Sequence, residues 1–174
     1  MKCEESTTSI KVCTSFHGCT YTHGDGGQMK ALIQRVSEAT VTVEGKIVGS
    51  IGKGLCVFVG VTHSDTHRIV EKIADKILHL RIFEDDGSKM NLSTLDIQAE
   101  MLIVSQFTLY GDTRKGRRPS WIASAPAEVA EPLIDDLIEA LRVAGIKVET
   151  GLFRQSMDVQ LTNEGPATLQ IEVD

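Results

Sequence analysis

Two short polar segments hold the side chains best suited to chemistry. The first is Ser105-Gln106-Phe107-Thr108-Leu109, which closes an apolar run and leads through Tyr110 and Gly111 into a loop carrying Arg114, Lys115, Arg117 and Arg118 and ending at Trp121. Hydroxyl and amide groups beside a cationic loop suit a phosphate-bearing ester, whereas the cations alone read equally well as a solvated loop. The second segment is Asn163-Glu164-Gly165-Pro166-Ala167-Thr168. Glycine before proline permits unusual backbone angles, and a cis bond there would turn two carbonyl oxygens nearly the same way. The same residues also read as a hairpin turn.

Other motifs fall short of their chemistry. Gly111-x4-Gly116 is followed by Arg117-Arg118 and Pro119 instead of the Lys, Ser or Thr and helix that a phosphate-binding P-loop needs. Gly49-x-x-Gly52 lies inside a hairpin, not between the helices of a KH clamp. His63 and His67 have no third ligand tied to them by spacing, and they read as exposed histidines. No Gly-x-Ser-x-Gly elbow or Ser-His-Asp arrangement is present. Cys13, His17, Cys19 and His23 form C-x3-H-x-C-x3-H, which matches none of the common zinc frameworks. Cys56, inside the run Leu55 to Val59, reads as a small core residue, so neither a disulfide-stapled fold nor a metal or other cofactor is expected.

These groups must be positioned by a body whose charge is uneven. The 174 residues carry 18 Lys+Arg against 24 Asp+Glu, and the total of −6 argues against coating nucleic acid by bulk charge. Asp112 to Arg118 nevertheless holds +3, while the rest of the chain after Met29 holds −8. Residues 1 to 28, rich in Ser, Thr, Gly and Cys and without apolar periodicity, read as a disordered extension. They have neither the apolar segment of a secretory signal nor the arginines of a transit peptide, so the expected location is cytoplasmic. No apolar run reaches the roughly 18 residues of a membrane span, so no membrane partner is expected.

From Met29 the pattern predicts a single α+β domain over 29–174. Val41, Val43, Ile47 and Ile51 around Glu44-Gly45 predict an inward-facing hairpin, and Gly54 to Val61 a buried strand. One helix is expected over about 65–80, with Ile69, Val70, Ile73, Ile77 and Leu78 inward and Ser64 or Asp65 as its cap. A second is expected over about 127–144, with Val129, Leu133, Leu137, Ile138 and Leu141 inward and Gly145 as its stop. Leu80 to Phe83, Met101 to Leu109, Val148 to Phe153, Met157 to Leu161 and Thr168 to Val173 read as further strands. The sum is a mixed sheet or partly closed barrel with two main helices.

The order I-Q-R-V at Ile33 to Val36, S-Q-F-T-L at Ser105 to Leu109, K-G-R-R-P-S-W at Lys115 to Trp121 and N-x-G-P-x-T at Asn163 to Thr168 closely resembles D-aminoacyl-tRNA deacylases of the bacterial and eukaryotic type. The resemblance spans essentially all of Met29 to Asp174. It implies a homodimer in which Gly165-Pro166, as a Gly-cisPro motif, enters the partner's active site and excludes the L side chain. By the same resemblance Ser105, Gln106, Phe107 and Thr108 surround the scissile ester. Arg35, Asn163 and Thr168 support the Gly-Pro element, Phe153 and Met157 adjoin the terminal adenosine, and Arg114, Lys115, Arg117 and Arg118 meet the tRNA backbone. The implied partner is the acceptor end of aminoacyl-tRNA, with no DNA expected.

An aminoacyl ester is intrinsically labile, so positioned water and a stabilised oxyanion suffice without a strong base. The resemblance further implies assistance from the ribose 2′-hydroxyl and cleavage of glycyl-tRNA. Thr108 as a covalent nucleophile is the competing mechanism. One departure stands out: where the family continues Gly-Ala after Phe153, this chain has Arg154-Gln155. A non-catalytic RNA-binding module, or an editing domain with another amino-acid preference, are the competing functions.

Overall fold

A computed structural model describes residues 28–174. The extension before Gln28, with its Cys/His pattern, lies outside the described residues. The body is α+β, as its sequence pattern predicts, and its sheet is organised by one long strand, β1 (Met29–Val43). On one edge β1 pairs antiparallel with β8 (Asp158–Val173). On the other it pairs first with β3 (Gly54–Gly60) and then with β2 (Lys46–Ile51), which together run back along it with a break at Gly52-Lys53. β3 is parallel to β6 (Glu100–Ser105), which is parallel to β7 (Val148–Thr150). Parallel neighbours need crossovers. α1 (His67–His79) and the one-turn α2 (Thr94–Ile97) lie between β3 and β6, flanking a small ribbon of β4 (Phe83–Glu84) and β5 (Met90–Leu92); α3 (Ala127–Val143) lies between β6 and β7.

Strand alternation divides the apolar residues between two cores. Leu55, Val57 and Val59 of β3 and Met101 and Ile103 of β6 face α1 and α3. Cys56, Leu102 and Val104 face the opposite way, toward Val36, Ala39, Val41, Val43 and Ile51. The sheet curls over this second core. β2 comes so close to β7 that a Cβ on Gly49 would stand 2.7 Å from the Thr150 carbonyl oxygen, which is why no side chain fits there. The result is a mixed, nearly closed barrel. The Cys56 thiol, buried in the second core, is pushed up to about 12 by desolvation, as befits an inert core residue.

Several elements depart from the sequence pattern. Ile47 is exposed because the β1–β2 register slips at Val41/Thr42, leaving Val48 as the extra residue and turning Ile47 outward opposite Thr42. The α1 cap is Thr66, without a side-chain cap bond, since the Asp65 carboxylate turns back to the Thr62 N–H at 2.8 Å. On α3, Val129 is exposed and Ala130 and Ile134 take the inner positions. β6 stops at Ser105, and Phe107–Tyr110 forms a 3-10 turn where continued strand is predicted. Asn163 to Thr168 is not a hairpin: β8 runs through it, and Thr168 pairs with Gln34 while Asn163 pairs with Val36. Glu164 to Ala167 therefore stand opposite Arg35 alone and arch away from the ladder.

Candidate functional site

The end of β6 opens onto a cleft of about 610 Å³. Its floor is Val59, Val104 and Ser105, and one wall is the turn at Gln106 and Phe107. Phe153, Arg154, Gln155, Met157 and Trp121 continue the lining around it. A smaller pocket of about 110 Å³ shares Ser105, Phe153 and Met157 and reaches Ile134 and Asp135. The sheet leaves off here because the Gln106 N–H bonds the Val59 carbonyl at 2.7 Å and the chain then tightens, with the Leu109 N–H on the Gln106 carbonyl at 3.2 Å. A 3-10 turn leaves its first amides without internal partners. Those of Phe107 and Thr108 find no acceptor among the described residues.

Among the residues lining the cleft, Arg154 alone is charged, so no lining carboxylate, imidazole or thiol could take a proton there. Thr108 lies just beyond the lining, and its hydroxyl accepts a bond from the Gln106 side-chain amide. No basic side chain among the described residues bonds it. Met157 is seated by Gly151, where a Cβ would come within 2.4 Å of the Met157 sulfur. Arg154 occupies the left-handed region at φ 62°, a conformation that costs a side-chain-bearing residue roughly 1–2 kcal/mol and suits the glycine that the resemblance expects there.

The Gly165-Pro166 arch, whose peptide bond is cis, is held from beneath. Arg35, 5% exposed, donates from Nη2 to the Gly165 carbonyl at 3.2 Å and from Nη1 to the Ile82 carbonyl at 2.5 Å. Its guanidinium also lies 3.6 Å from Glu84 and 3.7 Å from Glu164. The Asn163 amide donates to the carbonyls of Arg35 at 2.9 Å and Ala167 at 3.2 Å. The Thr168 hydroxyl donates to Asn163 Oδ1 at 3.4 Å and accepts from Gln34 at 3.3 Å. Arg35, Asn163, Thr168 and the arch thus form one cluster. They do not meet the cleft within the chain. Ser105 pairs with Val59, Val59 with Ala31 and Ala31 with Ile171, whereas the arch sits opposite Arg35. None of Arg35, Asn163, Gly165, Pro166 and Thr168 lines the cleft.

A sequence match to known proteins decides the family. The family model for D-Tyr-tRNA(Tyr) deacylase matches residues 32–172, which covers both the cleft and the arch. The chain belongs to this deacylase family. A D-aminoacyl-tRNA deacylase of Thermomicrobium roseum is 54% identical over 144 residues, covering 83% of this chain and 94% of the relative. One of Desulfatibacillum aliphaticivorans is 56% identical over the same length, covering 99% of the relative. Among solved structures, a c-Myc DNA unwinding element binding protein superposes with a TM-score of 0.76 at 39% identity, covering 81% of this chain and 96% of that one. A probable eukaryotic D-amino acid tRNA deacylase shares the fold with a TM-score of 0.73 at 20% identity, covering 83% and 99%.

Of the four cations that sequence spacing groups in this deacylase chain, Arg114 is already engaged. Its guanidinium makes two bonds to the Asp112 carboxylate, at 2.9 and 2.7 Å, which hold that carboxyl far below its usual range. Lys115, Arg117 and Arg118 are exposed and make no ion pair among the described residues. His63 and His67 serve separate contacts, with the Ile122 carbonyl and with Asp136. Sequence spacing gave no role to Trp121, nor to Ser124, Ala125, Ala127 and Ala130, small residues that leave the cleft its room. The available signal was the motif K-G-R-R-P-S-W itself, which ends on an aromatic residue.

Proposed function

We propose that the protein hydrolyses the ester of D-aminoacyl-tRNA to free D-amino acid and tRNA, as a chirality check on translation in the cytoplasm. The observation that carries this reading is the cleft wall itself: the Ser105-Gln106-Phe107 turn with Thr108 just behind it, two amides without an acceptor among the described residues, and no lining acid or base. Such a surface is suited to a labile ester, for which holding the substrate and stabilising the developing oxyanion accomplish most of the work. Water adds to the ester carbonyl, the Phe107 and Thr108 amides receive the oxyanion, and the ribose oxygen leaves with a proton. The neighbouring 2′-hydroxyl of the substrate assists in relaying that proton. Thr108 is the less favoured nucleophile, since the partner of its hydroxyl is an amide and not a base.

Chirality is read by steric exclusion. Gly165-Pro166 of one subunit reaches the cleft of a second copy, where its carbonyls hold the amino group and leave no room for an L side chain. The absence of Gly165 and Pro166 from the lining of their own chain's cleft supports a cross-subunit arrangement, since the arch is braced yet has no cleft of its own to serve. The outer edge of β8, without a strand partner among the described residues, supports a homodimer as well. Glycine carries no side chain to exclude, so glycyl-tRNA(Ala) is cleaved too. Phe153 and Met157 seat the terminal adenosine, and Lys115, Arg117 and Arg118, with Arg114 restrained by Asp112, face the tRNA backbone.

The test of the assembly is complementation: a Pro166→Ala chain mixed with a Gln106→Ala chain should recover part of the hydrolysis that each lacks alone. No recovery, in a mixture shown to exchange subunits, would contradict a shared site. A non-catalytic nucleic-acid module would show salt-sensitive RNA binding with no ester cleavage at all.

A further inference from the structure

We propose that Trp121, with Phe107 beside it, is a stacking seat for the base of the nucleotide preceding the esterified one, the penultimate cytidine of the tRNA end. This rests on the reading of the cleft as the seat of the terminal nucleotide. Phe107 is 54% and Trp121 39% exposed, and their rings meet edge to face with centroids 5.5 Å apart. Two large aromatic side chains at a cleft mouth offer the sequence-tolerant π surface on which unpaired bases stack.

The indole is presented on a fixed mount. A Cβ on Gly111 would lie 2.5 Å from Trp121 Cζ3, so only glycine lets the ring lie against that backbone. Asp112 and Ser120 exchange both backbone bonds, at 2.9 and 2.8 Å, and so close the loop directly beneath it. The chain just past Trp121 is tied to the α1 entry, with the Thr62 hydroxyl on the Ala123 carbonyl at 2.6 Å and His63 on the Ile122 carbonyl at 2.9 Å. Lys115, Arg117 and Arg118 stand at the tip of the same loop. Cleft, aromatic pair and cations therefore follow one another along a single path. A strand whose last nucleotide occupies the cleft would carry its next base onto Trp121 and its phosphates toward the tip. The three exposed cations at the tip complement the phosphates of such a strand.

Trp121 is the chain's only tryptophan, so its intrinsic fluorescence reports the seat without a label. Titration of the full chain with a 5′-phosphorylated CCA trinucleotide should quench that emission well beyond the change that saturating adenosine in the cleft produces. Equal quenching by both, or none by CCA, would overturn the proposal. In hydrolysis assays, Trp121→Leu should lower kcat/KM for D-tyrosyl-tRNA about tenfold further than for the minimal ester 3′-O-D-tyrosyl-adenosine, within the roughly 5- to 150-fold that one stacked base is worth. Trp121→Phe should restore most of the loss. Equal losses on both esters would mean a merely structural wall, and a drop in oligomeric mass would assign the seat to a second copy; either overturns the proposal. Should the wild-type protein cleave neither ester, the functional reading fails, whereas the CCA quench still decides the seat.

Discussion

Replacing Arg35 by Met removes the brace under the Gly165-Pro166 arch while nearly preserving side-chain volume. Arg35 is 5% exposed and donates to two carbonyls, those of Ile82 and Gly165, which lose their partner in the variant. A hydrogen bond from a charged donor is worth about 1.5–3 kcal/mol, and an orphaned buried acceptor costs about 1–3 kcal/mol. Two terms oppose this sum. Desolvation of the guanidinium is recovered, and the carboxylates of Glu84 and Glu164, 54% and 37% exposed, are hydrated and contribute little to the native pairing. The net expectation is a loss of about 3 kcal/mol, or about 10 °C in Tm for a body of this size. Arg35→Lys, whose ammonium reaches one carbonyl but not both, should lose about half as much. Urea unfolding measures the stability term. Hydrolysis of D-tyrosyl-tRNA by the fraction still folded measures whether the arch also loses its aim. Arg35→Met within about 1 kcal/mol of wild type, with unchanged hydrolysis, would refute the brace.

Asp65 gives a pH dependence. Burial pushes its carboxyl up to about 6 despite the Thr62 N–H bond, above the usual value of about 3.9, so the folded state holds the proton more tightly than the unfolded chain. Its contribution to stability is then full below about pH 4 and lost as pH rises through 6. Asp65→Asn should flatten that slope in urea midpoints taken between pH 4 and 7.5, and a retained slope would assign it elsewhere. Gly54→Ala would place a Cβ 1.9 Å from the Glu100 carbonyl oxygen, where β3 meets β6, so a loss above about 4 kcal/mol or failure to fold is expected by circular dichroism. Arg117→Gln with Arg118→Gln should reduce the slope of log affinity for tRNA against log salt by about 0.7–0.9 for each phosphate no longer neutralised. The parallel change at Arg114, already held by Asp112, should reduce it less.

Local patterns in the sequence sufficed for the elements whose periodicity matches their burial. The helix faces at Ile69, Ile73 and Ile77 and at Leu137, Ile138 and Leu141 are buried as their spacing predicts. So is the alternation that sends Cys56 and Val57 to opposite cores. What escaped the sequence was register. Ile47 faces water because of one extra residue in β2, and the Gly-Pro segment becomes an arch because four residues of β8 oppose one of β1. Such slips depend on long-range pairing, which neighbouring residues do not encode. The Ser105 to Thr108 motif stood out in the sequence by its polar side chains. Its shape did not, since Phe107, Thr108 and Leu109 have the composition of a strand yet turn once the sheet partner ends at Gly60. The deacylase resemblance brought Arg35 to notice, but its hydrogen bond to Gly165 spans 130 residues and needed the fold.

This chain should cleave aminoacyl-tRNA esters and choose between them by chirality. The direct measurement is the rate of ester loss from D-tyrosyl-tRNA and L-tyrosyl-tRNA, each incubated with the purified full chain at matched concentration. Rapid deacylation of the D form with the L form left at its spontaneous rate is the predicted result. Equal rates for the two, or no acceleration of either, would contradict it.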